Sequence, residues 1–184
     1  MPKLSKNFKD AVEELSVDEL RKLVIELAKK NQEAYDYIKL KYLSTDETEK
    51  ELFDECKQKV LSETWNVYNR RNIQKNLAAA ITRAIRHINY FEKVTKNEVL
   101  VAELLLILLN EVFDDFKDEL GTCWTAFDSK LAITTNRLIN LVTKKLHPDY
   151  LVEYREPINN FLNILHEKSG YLDCVYKLPK TLPE

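Results

Sequence analysis

Two basic or acidic clusters and one tripeptide hold residues whose types and spacing could do chemistry. Between Glu63 and Glu92 the chain has no acidic residue, while Arg70, Arg71, Lys75, Arg83 and Arg86 are all basic. On one helix over Ile73–Lys96, the side chains of Ile73, Leu77, Ile81, Ala84, Ile88 and Phe91 share a face. Lys75, Arg86 and Lys93 fall roughly opposite them, at about 100° per residue. Arg71, Lys75, Arg86 and Lys93 are therefore the candidate contacts to a phosphate backbone or an acidic partner, because clustered cations release counterions when they meet a polyanion. Asp114-Asp115-Phe116-Lys117-Asp118 sets carboxylates at i and i+4 on one helix face, where they could share a divalent cation. His147-Pro148-Asp149 puts an imidazole and a carboxylate at a helix stop.

Each cluster has a plainer reading. The formal net charge of −2 gives no global attraction to nucleic acid or anionic membrane. The arginines of 70–96 then either pair with the acidic segments Asp46–Glu63 and Glu98–Glu119 or simply solvate the surface. The acidic pentad is similar to the DDxxD with which prenyl-diphosphate synthases hold magnesium, but the second acidic motif those enzymes use is missing. His147-Pro148-Asp149 is similar to the tripeptide of J domains, which stimulate Hsp70-type chaperones from a loop between two helices. The Tyr and Leu-Gly signature of the J domain's leading helix is absent, so this chaperone-linked role trails the others.

His87 and His166 have no Glu or His at metal spacing and read as boundary side chains. Two glycines could not build a P-loop, a dinucleotide fingerprint or a nucleophile elbow. Cys56, Cys123 and Cys174 are odd in number and widely spaced, which reads as reduced thiols in a cytoplasmic protein. The amino terminus has no apolar signal region. No catalytic residue, cofactor or metal site is expected, and the leading expectation is a non-enzymatic scaffold that binds another protein. A nucleic-acid-associated factor using the 70–96 stripe is the alternative.

The elements that must position these residues are helical. Few glycines and prolines leave few turns for hairpin-joined sheets, and charged residues alternate with Leu, Ile and Ala at helical spacing. Leu4, Phe8, Val12 and Leu15 mark a short first helix. Ser16-Val17-Asp18-Glu19 is a capping box for a second, with Leu20, Leu23, Val24 and Leu27 on one face. Asn31 turns into a third over Glu33–Leu43, and so short a connection makes an antiparallel hairpin. Ser44-Thr45-Asp46-Glu47 repeats the capping box, Trp65–Asn72 is ambiguous, and helix resumes over Ile73–Val94. A helix from Trp124 to Lys145 follows Gly121, which is placed as a left-handed residue. Tyr150–Arg155 reads as a short helix or turn, and Pro157 as the first residue of a last helix ending at Gly170. The aromatics Trp65, Tyr68, Trp124 and Phe127 are placed in the core or a groove.

Asn97–Asp118 is the most apolar stretch. Glu103 interrupts it, and Leu104–Leu109 falls far short of the roughly 18–20 apolar residues of a membrane span. It is the expected central helix of an all-α fold: an irregular multi-helix bundle with antiparallel, solenoid-like hairpins of HEAT or tetratricopeptide character and about seven helices. The expected organisation is one domain over 1–176, with a hairpin region at 1–43, a main bundle at 44–176 and an extended or disordered tail at 177–184. Seven acids from Glu98 to Glu119 against Lys117 alone make the central helix a charge partner for the acid-free one before it, with Glu103 as the position that would show it.

The hairpin SVDELRKLVIELAKKNQEAYDYIKLKYL, with the later order of a charged helix, FEK and VAELLLILLNEVFDDF, resembles a family of small bacterial proteins known only as a domain of unknown function. That resemblance implies an all-helical bacterial protein and no activity, so it carries no site residue to this chain.

Overall fold

The structure, a computed structural model, describes residues 3–43, 46–65, 67 and 72–182, with Asp46 and Glu47 described by their backbone alone. The fold is all-α, with nine α-helices and no strand among the described residues. The chain divides into two compact units, Met1–Thr48 and Glu49–Glu184.

The first unit holds α1 (Lys6–Glu13), α2 (Val17–Lys30) and α3 (Gln32–Ile38), followed by a π-helical turn at Lys39–Leu43. Ser16 caps α2 as the sequence predicts: its amide donates to Glu19 Oε2 at 2.9 Å and its hydroxyl accepts from the Glu19 amide at 3.4 Å. Asn31 ends α2 and caps α3, its Oδ1 accepting from the Glu33 and Ala34 amides at 2.9 and 3.3 Å. Amphipathic patterning makes these helices, yet α1 and α2 bury no side chain.

The second unit takes α4 (Asp46–Trp65) from Glu49 onward, then α5 (Ile73–Thr95), α6 (Glu98–Phe116), α7 (Ala126–Lys144), α8 (Asp149–Ser169) and the short α9 (Asp173–Tyr176). Val101, Leu104, Leu105, Leu108, Leu109, Val112 and Phe113 of α6 are all buried, and its exposed residues are Glu103, Asn110, Asp114 and Asp115. Around it pack α5, α7 and α8, and α7 touches α5, α6, α8 and α9. Phe113 of α6 stacks on Phe161 of α8 with centroids 4.6 Å apart, and Phe53 of α4 meets Phe91 of α5 edge-on at 6.1 Å.

Several local expectations change. The helices number nine against about seven expected; the short α9 lies beyond the last expected helix, and the expected Tyr150–Arg155 turn is continuous with that last helix as α8. Pro157 lies inside α8 rather than opening it. Its ring deprives the Glu153 carbonyl of a helical donor, a cost of about 3 kcal/mol in a helix interior, which burial of Tyr154, Ile158 and Phe161 on either side offsets. Trp65 and Trp124 are exposed rather than in the core, while Phe127 is fully buried. Residues 177–182 carry no regular element beyond the cap of α9, yet Leu178 and Leu182 are buried and the Leu182 amide donates to Asn159 Oδ1 at 2.7 Å. The second capping box and Tyr68 lie outside the described residues or side chains, as does most of the ambiguous stretch before Asn72.

Candidate interaction surfaces

The basic stripe rides on α5, whose inward face of Leu77, Ile81, Ala84, Ile88 and Phe91 fixes which side chains point out. Lys75, Arg86 and Lys93 are exposed on the opposite face. Their spacing of 11 and 7 residues puts them about 16 and 10 Å apart along the axis. Lys93 is engaged in a polar contact. Arg71 lies outside the described residues.

Arg83 is drawn out of the set. Its Nε donates to Glu63 Oε2 of α4 at 2.5 Å, and His87 Nε2 lies 3.4 Å from the other oxygen of the same carboxylate. Partial burial pushes the Glu63 carboxyl up, but the hydrogen bonds and charges of Arg83 and His87 together hold it below the usual range. The partner of α5 here is therefore α4 rather than the central helix. Glu103 is exposed and makes no ion pair with the stripe among the described residues, which corrects the charge pairing read from the sequence.

The acids of α6 and of the turn after it find other donors. Glu98 accepts from Lys145, the C-cap of α7, at 2.7 Å, a bond that raises the Lys145 ammonium above its ordinary pKa. Glu111 accepts from the Trp65 indole at 2.9 Å, and Glu119 from Gln74 at 2.7 Å. Asp118 accepts from Lys168 of α8 at 2.9 Å, and that hydrogen bond and charge lower its carboxyl. The Asp114-Asp115…Asp118 pattern is thus split, since Asp118 turns toward Lys168. Among the described residues no three His, Cys, Asp or Glu side chains converge on a point that could hold a metal ion.

His147-Pro148-Asp149 forms the turn into α8. His147 Nδ1 faces both the Asp149 amide at 3.4 Å and the Asp149 carboxylate at 3.2 Å. A neutral ring accepts from the first, and a protonated ring donates to the second. All three residues are exposed, and the geometry is that of a local helix start. His166 Nε2 meets the Pro179 carbonyl at 3.1 Å, holding the carboxyl-terminal segment against α8.

Two features escape sequence reading. The first is Asp128, fully buried in the first turn of α7. Its Oδ2 accepts from the Gly121 amide at 2.8 Å and the Ser169 hydroxyl at 2.5 Å, while Oδ1 has no partner among the described residues. The signal was present: Asp128 shares a helix face with Leu131, Thr135 and Leu138, so a carboxylate stands where the pattern calls for an apolar residue. The second is a groove between α2 and α3, floored by Val24, Ile25, Ala28, Tyr35 and Ile38 and edged by Lys29. Leu23, Val24, Ile25, Leu27 and Tyr35 are exposed. No ion pair of Lys29 occurs among the described residues, whereas Lys30 pairs with Glu26 and Arg21 with Asp18.

No protein-family model matches the chain, and no curated protein or solved structure is significantly similar to it. No helix among the described residues is long and apolar enough to cross a membrane.

Proposed function

We propose that this chain is a non-catalytic interaction module that docks another protein on its amino-terminal unit. The observation that carries the reading is the exposed apolar floor of the α2–α3 groove, Val24, Ile25, Ala28, Tyr35 and Ile38. Contiguous apolar surface of this kind is costly to leave in water and marks binding sites. Its shape suits the apolar face of a partner helix, and Lys29 at the edge favours one with carboxylates beside that face. A photo-crosslinking side chain placed at Ile25 in native cells should capture a discrete protein. That adduct should disappear when Val24→Asp or Lys29→Glu is added and persist with Lys130→Glu on α7. The same adducts from a crosslinker at the exposed Asn163 of α8 would sink the reading.

A second reading rests on a separate observation, the exposure of Lys75 and Arg86 along one line of α5. With Lys93, they suit the phosphates of a nucleic-acid backbone. Lys75→Glu with Arg86→Glu should then abolish a salt-sensitive mobility shift of duplex or single-stranded probes. An absent shift for the unmodified protein at low salt removes this reading.

A further inference from the structure

We infer that the outer face of α8 binds an extended peptide of another protein. Arg155 takes a carboxylate of that peptide, and Asn159, Asn160 and Asn163 take its backbone. This face belongs to the second unit and shares no residue with the α2–α3 groove, so it stands or falls independently of the docking reading above.

The first observation is a cation that the fold leaves unanswered. Arg155 is half-buried, and its Nε is shut away from solvent without a hydrogen-bond acceptor. It takes part in no ion pair among the described residues. A guanidinium keeps its charge at any ordinary pH and offers a planar fork of N–H donors that fits a carboxylate. A buried donor without an acceptor is costly, and an incoming carboxylate supplies what the fold withholds.

The second observation is what surrounds that cation. Arg155 lines an open hollow of about 470 Å³ with Val152, Glu156, Asn159, Asn160 and Asn163. At about 100° per residue these six lie within about 140° of one another, opposite the buried Tyr154, Ile158, Phe161 and Leu165. Between Glu156 and His166 the chain carries no charge, and its polar side chains are the three asparagines. Asparagine is a poorer helix former than the Glu, Lys or Gln that would favour a solvent-facing row, so local stability does not account for the choice. Its amide both donates and accepts, which matches a peptide group. Asn159 and Asn163 stand about 6 Å apart along the axis, close to the roughly 6.5 Å between alternate residues of an extended chain.

The third observation is that the chain already uses this row in that way. Its own tail runs toward the amino end of α8, from Pro179 at His166 to Leu182, whose amide donates to Asn159 Oδ1 at 2.7 Å. Asn159 keeps both N–H donors, and the side chains of Asn160 and Asn163 make no hydrogen bond among the described residues. Glu156 sets the class of anion. Its carboxylate lines the same hollow without an ion pair among the described residues. It repels a free dianion such as phosphate, yet accepts from the amides that a peptide brings with its carboxylate.

A pool of random octapeptides with both ends capped, passed over the immobilised full chain, tests this. Retained peptides should be enriched in Asp or Glu at one position. Replacing that acid by its amide should weaken binding at least tenfold, as should Arg155→Gln in a chain of unchanged circular dichroism. Asn163→Ala, at an exposed position that leaves the fold intact, should weaken it several-fold. In NMR of the nitrogen-labelled chain, the Arg155 Nε–H signal should move on adding a retained peptide, which a purely structural arginine would not show. Three results would each overturn the inference. They are a pool that yields no acidic position, peptides that bind Arg155→Gln as tightly as the unmodified chain, and displacement by inorganic phosphate at the peptide's own concentration. A shift of the Arg155 signal in the free chain on Glu184→Gln would overturn it too, since the site would then already belong to Glu184.

Discussion

Glu63 of α4 holds Arg83 of α5 at 2.5 Å and reaches His87 one turn further on with its other oxygen. A single acid thereby joins two helices and removes one cation from the acid-free stretch. The stripe that remains on α5 is sparser than its sequence suggests.

That relationship has a pH signature. The folded-state pKa of Glu63 is depressed, so its stabilising effect is present above the unfolded carboxylate value and is lost as pH falls through the folded one. Glu63→Gln should lower stability by roughly 0.5–1 kcal/mol near neutrality, the range of partly exposed ion pairs. The difference from the unmodified chain should vanish in acid. Urea unfolding at a series of pH values measures it, and a gap that persists below the carboxylate range would contradict the assignment.

The buried Asp128 makes a stronger claim. Replacing it with Ala strands the Ser169 hydroxyl and frees the Gly121 amide, at about 1–3 kcal/mol for a buried polar group left unsatisfied. Gly121→Ala attacks the same joint differently: at φ +75° a Cβ would lie 2.6 Å from the Lys168 carbonyl oxygen. The left-handed backbone alone costs an L-residue roughly 1–2 kcal/mol. Both variants should lower Tm by several degrees, at about 2–4 °C per kcal/mol for a chain of this size. The double variant should be less than additive, because the two changes share one hydrogen bond.

Packing at the centre of the second unit gives the largest expected loss. Phe161→Ala removes the ring stacked on Phe113 and opens a cavity between α6 and α8. Such truncations cost about 3–5 kcal/mol. Phe161→Leu should recover much of it, and equal losses for the two in chemical unfolding would show that the stack is not well packed.

The three thiols separate by environment. Burial pushes the Cys56 thiol up to about 11, while Cys123 is exposed. The thiolate is the reactive form. A disulfide reagent at neutral pH should modify Cys123 at once and Cys56 only on unfolding, and rapid labelling of Cys56 in the native state would contradict its burial.

Most of the architecture was legible because helix signals are local. The Ser16 box, the Asn31 junction and the inward row of α5 follow from residues three or four apart. What could not be read depends on partners distant in sequence. Glu63 meets Arg83 from 20 residues away, and Lys145 meets Glu98 from 47, and neither pairing has a local pattern. Pro157 misled because the rule for helix starts outweighs, in sequence, a burial that only the assembled core supplies. The basic stripe was legible as a helix face; which of its members are already engaged was not. The α2–α3 groove was hidden for a related reason. Its apolar residues look like any core face until the structure shows them uncovered.

Helices that bury nothing of their own are the first to open. With no buried side chain on α1 or α2, the backbone amides there are protected by little more than the helical hydrogen bonds themselves, so local opening sets their lifetime. Whatever covers these faces adds its binding free energy to that local equilibrium. The rate at which a protease nicks the first thirty or so residues, or deuterium enters them, is then a direct meter of occupancy, readable before any partner has been named.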